Sequence, residues 1–230
     1  MLSGISWDAW ILKLSKNGDL EFDKMFGGKG YGIAKSIQQT TDLGYIVTGY
    51  TWLKGGGDFD AWIFKLNNNG SLEWEKTFGG NKDDRLYSIQ QTTDLGYIVA
   101  GYTDSKGAGD DGAWILKLDT KGKLEWDKTF GGTKWGKATS IQQTKDLGYI
   151  VAGFTNSKGA EKDNGWIFKL NSKGDLQWEK IYGGSKNGKA NSILQTAEGK
   201  YVLAGYTNSK GMEEYDVWIL KLDEKGELCE

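Results

Sequence analysis

The stretch Trp114-Ile115-Leu116-Lys117-Leu118 decides how this chain folds, because it recurs as Trp-Ile-(Leu/Phe)-Lys-Leu from Trp10, Trp62, Trp166 and Trp218. Each copy begins 52 residues after the one before. A regular period of this order marks a propeller, a solenoid or another tandem array, so the architecture is read from one unit. Outward from the anchor, turn residues divide each unit into four short segments, which in the second copy run 86–92, 96–103, 113–118 and 124–130. By the two-residue alternation of a strand, the first puts Ser88, Gln90 and Thr92 on one side. The second, from Gly96 to Thr103, is apolar on both faces, as suits a strand with neighbours on both edges and cover above and below. The third sets Trp114, Leu116 and Leu118 against Ile115 and Lys117. The fourth turns Glu125, Asp127 and Thr129 to solvent.

This gradient, from small and polar through apolar to half-solvated, matches a propeller blade from inner strand A to outer strand D. The expected fold is an all-β propeller of four-stranded antiparallel blades, four from this chain, or five if a partner completes the ring. The expected units are a C–D hairpin over 7–28 and blade repeats over about 34–80, 86–132, 138–184 and 190–230, in one repeat domain. Thr-Asp-Leu-Gly at 93–96 and Asp-Thr-Lys-Gly at 119–122 read as A–B and C–D hairpin turns, with their glycines supplying positive φ. The paired glycines Gly27-Gly28, Gly79-Gly80, Gly131-Gly132 and Gly183-Gly184 read as bends between blades. No helix follows them to favour a phosphate.

Composition removes several functions. At 230 residues and 38% hydrophobic, the chain can bury a sizeable core. Its 29 basic and 31 acidic residues give a net charge of −2 with no basic stripe, which argues against nucleic acid as a partner. Apolar runs are too short for membrane insertion, and Met1–Trp7 lacks the regions of a signal peptide. Cys229 is the only cysteine and histidine is absent, so no zinc spacing exists and the commonest general base is missing. Neither a metal nor a cofactor is expected. Any catalysis would rest on carboxylates.

The run Trp114-Ile-Leu-Lys-Leu-Asp…Gly122…Leu124-Glu-Trp-Asp-Lys-Thr-Phe-Gly-Gly132…Ser140-Ile-Gln-Gln-Thr…Leu147-Gly-Tyr-Ile-Val-Ala-Gly153 resembles repeats of bacterial and archaeal surface or secreted proteins that look like β-propellers. The resemblance spans nearly the whole chain. It implies an extracytoplasmic, cell-surface or extracellular, non-enzymatic repeat domain, and it carries over no catalytic residues.

The chain opens on a C–D pair, continues through three full sets and closes with A, B, C and a stub at Leu228-Cys229-Glu230. There are thus four A strands and five C strands. Glu230 stands where other copies have Phe22, Trp74, Trp126 and Trp178, so segment 20–26 is the favoured D strand to close the last blade. The strand from Trp218 to Leu222 is then redundant: it extends the rim, swaps into a second molecule, or marks this chain as a piece of a longer propeller.

Up-and-down strands place the D–A and B–C loops at one end of the propeller, and these are the loops that vary. In the D–A loops one position reads Tyr31, Asp83, Trp135 and Asn187, and two residues on it reads Ile33, Arg85, Lys137 and Lys189. In the B–C loops one position reads Trp52, Asp104, Asn156 and Asn208. The candidate ligand-binding residues are therefore Tyr31, Trp52, Asp83, Arg85, Trp135 and Asn187. Trp52 and Trp135 can stack on a sugar ring or anchor a protein partner, or fold onto their own blades. Arg85, the only arginine, sits beside Asp83 and Asp84, and a local ion pair is its simplest role.

Acidic residues precede every C strand: Asp8; Asp58 and Asp60; Asp110 and Asp111; Asp163; Glu213, Glu214 and Asp216. Capping of turn amides suits them better than calcium, since their spacing fits no calcium loop. The Gln-Gln pairs recur too regularly for a single active site and read as channel-side hydrogen bonding, and the five repeated tryptophans read as core. The expected function is a non-enzymatic binding or scaffolding module for a glycan or protein ligand, with self-association through the terminal hairpin at Trp218 and Leu222. The alternatives are a glycosidase-type hydrolase using Asp83, Asp84 and Asp110, or an array with no evolved ligand.

Overall fold

The computed structural model describes residues 7–28, 30–52, 58–107, 112–131, 135–157, 162–184, 186–208 and 214–229. Asp110, Asp111, Gly132, Glu213 and Glu230, named above, lie outside the described residues.

Seventeen strands and no helix make up these residues. A two-stranded hairpin comes first, β1 (Ala9–Leu14) with β2 (Leu20–Phe26). Three four-stranded blades follow: β3 (Gly32–Gln39) to β6 (Leu72–Phe78), β7 (Asp84–Gln91) to β10 (Leu124–Phe130), and β11 (Gly136–Gln143) to β14 (Leu176–Tyr182). The last sheet has three strands, β15 (Gly188–Gln195), β16 (Tyr201–Thr207) and β17 (Asp216–Leu222). All pairing within blades is antiparallel and sequential. Neighbouring A strands, β3, β7, β11 and β15, touch one another in turn and form the inner row, as the gradient across the repeat requires.

Blades are held together face to face. At the first joint Ala61 and Ile63 of one blade meet Leu86, Val99, Trp114 and Leu116 of the next, with Trp74 and Phe78 packed alongside. The next two joints repeat this arrangement. In the full blades the repeated tryptophan therefore looks back onto the preceding sheet, and its indole N–H is satisfied by strand D of its own blade: Trp114 Nε1 donates to Asp127 at 2.9 Å, and Trp166 Nε1 to Glu179 at 3.1 Å. Trp10, expected in the core with the others, is instead exposed. Each D-strand tryptophan lies on the next blade's C–D turn. A Cβ on Gly122 would come within 2.7 Å of the Trp74 ring, and Gly122 also has φ +74°. Glycine is required there twice over.

Polar rungs join the inner strands. Gln38 Oε1 accepts from Gln91 N, Gln90 Oε1 from Gln143 N, and Gln142 Oε1 from Gln195 N, each at 2.6 Å. The recurring glutamines are thus a channel-side ladder.

Three expectations are revised. Segment 20–26 does not close the last blade: β2 pairs with β1 as a half-blade stacked on β3–β6, because β17 already fills the place beside β16. The redundant strand is therefore the N-terminal hairpin, and Trp218 and Leu222 pack within the last joint. In the A–B turns it is Leu43, Leu95 and Leu147 that take positive φ, at 66°, 65° and 62°, and not the glycines after them. Those glycines are needed for space, since a Cβ on Gly96 would lie 2.3 Å from Leu118 O.

Candidate functional site

Two of the three variable loop positions singled out above meet in space. Beyond the end of each A–B ladder, the B–C residue donates its N–H to the D–A residue's carbonyl: Trp52 to Tyr31 at 2.9 Å, Asp104 to Asp83 at 3.0 Å, Asn156 to Trp135 at 3.3 Å and Asn208 to Asn187 at 3.0 Å. One repeated backbone contact thus presents a different pair of side chains on every blade.

At the joint between the first two full blades these side chains frame a cavity of about 450 Å³, lined by Tyr31, Trp52, Asp58, Phe59, Asp83 and Arg85. Tyr31 and Trp52 form an aromatic wall, ring centroids 5.7 Å apart and tilted by 42°. Trp52 is more than half exposed, so its ring face is available to a ligand. The opposite wall is polar and held rigidly. Asp83 Oδ1 accepts from Arg85 Nε and its Oδ2 contacts Arg85 Nη2, both at 2.8 Å. Tyr102 OH adds a third contact to Asp83 at 2.7 Å. The guanidinium lies over Tyr50 and Phe59, 4.6 and 4.4 Å from their centroids. Tyr50 and Phe59 are themselves packed edge to face at 5.3 Å.

Burial is the largest influence and works against the Arg85 charge, but the hydrogen bond to Asp83 together with the electrostatic pull of Tyr102, Asp83 and Tyr50 outweighs it and raises the guanidinium above its ordinary value. Burial and the Asp83 contact keep the Tyr102 phenol neutral far above its usual range, and burial pushes Tyr87 up to about 12. With Asp83 and Arg85 compensating each other, the pocket offers a donor–acceptor edge rather than an anion trap.

Cations stacked on aromatics recur at the later joints. Lys137 lies over Tyr102 at 3.5 Å and Lys189 over Phe154 at 4.0 Å. Arg85 thus occupies a repeat position at which this blade substitutes the stronger, planar cation. Trp135 and Asn187 are not brought to the cavity. Trp135 packs edge to face on Phe154 of its own blade at 5.3 Å, and Asn187 Oδ1 accepts from Asp163 N at 3.3 Å.

Sequence reading overlooked Phe59 and Tyr50. The available signal was an aromatic just before strand C, which recurs as Tyr215 against Tyr206 at 5.1 Å. Asp84, weighed as a catalytic carboxylate, is buried and structural: it accepts from Ser105 Oγ at 2.6 Å, from Gly80 N at 2.9 Å and from the Thr103 hydroxyl. Among the positions at or just before the start of strand C, Asp8 accepts from Gly28 N at 3.1 Å and its counterpart Asn164 from Gly184 N at 3.2 Å, which ties β1 and β13 to their glycine bends.

No family model matches the chain. It is 22% identical over 189 residues to the regulatory protein FlaEY of Caulobacter vibrioides, a match that takes in 75% of this chain but only a fifth of that protein's length. Among solved structures, a Bacteroides caccae protein of unknown function superposes over 97% of this chain and 72% of its own with a TM-score of 0.60 at 11% identity. The endo-arabinase of Bacteroides thetaiotaomicron superposes over 82% of this chain and 74% of its own with a TM-score of 0.52 at 10% identity. These likenesses show the propeller fold. They also correct the expectation of a non-enzymatic domain: an enzyme is built on the same architecture, so the fold does not argue against catalysis.

Proposed function

We propose that the chain is a carbohydrate-binding propeller whose ligand occupies the cavity between the first two full blades. The carrying observation is the pairing of an aromatic wall, half-buried Tyr31 and exposed Trp52, with the Asp83–Arg85 edge across the same cavity. A pyranose needs both surfaces: an apolar C–H face that stacks on an indole, and hydroxyls that match carboxylate acceptors and guanidinium donors.

Titration of neutral oligosaccharides, chosen by array screening and followed by calorimetry, tests the reading. Trp52→Ala should weaken binding about tenfold or more, equivalent to about 1.4 kcal/mol, while leaving the melting temperature unchanged because the ring is exposed. Unaltered affinity in Trp52→Ala, or no oligosaccharide bound, refutes it.

One observation favours hydrolysis as a second reading. Asp58 and Asp83 line the same cavity, which gives a bound sugar two carboxylates. Release of new reducing ends from the bound oligosaccharide, abolished by Asp58→Asn without loss of binding, would establish it.

A further inference from the structure

The ends of the blade series expose two apolar faces that are counterparts of one joint. On the N-terminal hairpin the backward face carries Trp10, Leu12 and Leu14, which are 61%, 41% and 52% exposed. Their counterparts one repeat later, Trp62, Phe64 and Leu66, are 1%, 0% and 0% exposed under the cover of the hairpin itself. On the last sheet the forward face carries Val217 and Ile219, at 83% and 66% exposure. Their counterparts Ala61 and Ile63, and Ala113 and Ile115, are all at 0%. At each joint within the chain a forward face of this kind lies on a backward face of the Trp10 kind. The geometry of the contact is therefore already set out three times, twice between full blades and once between the third blade and the last sheet.

Strand A of the last sheet indicates what covers its forward face. Gln38, Gln90 and Gln142 each reach an N–H on the following strand A. The next residue in that series is Leu194, half exposed, which offers no such acceptor. A complete blade stacked here would bring a strand A whose N–H found no glutamine. Among the described residues the β1–β2 hairpin brings none, because its two strands are C and D. Leu194 thus fits the hairpin and not a full blade.

We propose that a second copy of this chain docks head to tail, its hairpin face at Trp10 and Leu12 seated on the Val217–Ile219 face of the first. The contact is heterologous, so every copy keeps one free face of each kind until a ring closes. Burying such apolar surface is the driving force.

The test uses the whole chain and two variants, Trp10→Asp with Leu12→Asp, and Val217→Asp with Ile219→Asp, with folding checked by circular dichroism. Light scattering coupled to size exclusion should show wild type as a dimer or larger and each variant alone as a monomer. An equimolar mixture should yield a dimer and nothing larger, since only one joint can form. A monomeric wild type overturns the proposal, whether the chain closes on itself or leaves its faces open. Self-association of either variant alone, or a mixture that stays monomeric, overturns it equally.

Discussion

Trp114 and Trp10 are the same residue in the same repeat motif, yet their removal should have opposite consequences. Trp114 is completely buried at the joint between the first two full blades, against Leu86, Val99 and Leu116. Truncation to alanine removes a whole indole from a packed interior, for which about 3–5 kcal/mol is typical. Asp127 would lose the indole N–H but keep Lys106 at 2.5 Å on a partly exposed site, so it adds little. At about 2–4 °C per kcal/mol for a chain of this size, the melting temperature should fall by roughly 6–20 °C. Trp10 is 61% exposed, so Trp10→Ala should cost less than about 0.5 kcal/mol in the monomer. Urea denaturation of both variants at sub-micromolar concentration, followed by far-ultraviolet circular dichroism, makes the comparison, and hydrogen exchange should localise the Trp114 defect to β8 and β9. A Trp10→Ala loss as large as that of Trp114→Ala would refute the argument, because the hairpin's outer face would then have to be covered within a single chain.

Other consequences are as specific. Burial alone would push the Asp42 carboxyl up, but the Thr40 hydroxyl, Lys65 and the Gly44 N–H outweigh it and hold it at about 2. Its contribution is present above the unfolded value of 3.8 and lost as pH falls through about 2, so acid unfolding should flatten over that window in Asp42→Asn. Leu147→Gly should stabilise by about 0.5–1 kcal/mol in thermal melts, because Leu147 sits at φ +62° where the last repeat already has Gly199 at +85°. Gly101→Ala should destabilise strongly and disturb the cavity, since a Cβ there would lie 1.9 Å from the carbonyl oxygen of Arg85; calorimetry and oligosaccharide titration would both register it. Lys117→Met should cost no more than about 1 kcal/mol in urea melts, because the partners of its buried ammonium, Asp94 and Glu125, are half exposed and can rehydrate.

The blade was legible because periodicity writes burial into sequence. Ser88 and Gln90, Val99 and Ala100, then Glu125 and Asp127 report the passage from channel to rim. The loop pairs were legible for a related reason: where four copies agree nearly everywhere, Tyr31 and Trp52 show as departures. What was not legible is the joining of one blade to the next. The hairpin's place depended on whether β1 or β17 lies beside β16, and both carry Trp-Ile-Leu-Lys-Leu. The positive φ of Leu95 was hidden because the adjacent Gly96 supplied the obvious explanation. The cavity's polar wall was half visible: Arg85 beside Asp83 announced an ion pair, whereas Phe59 beneath the guanidinium comes from a segment 26 residues earlier in the chain.

Five near-identical copies of one strand leave the folding chain with a sorting problem that side-chain recognition alone cannot solve. A nascent β9 fits the slot of β13 almost as well as its own, since Trp, Ile, Lys and Leu occupy the same faces in both. What separates the two outcomes is chain connectivity, through the short A–B and C–D turns that make the nearest pairing the fastest to form. Order of emergence from the ribosome should therefore matter more here than in a propeller with divergent blades, and refolding from denaturant should give more strand-exchanged species than synthesis does.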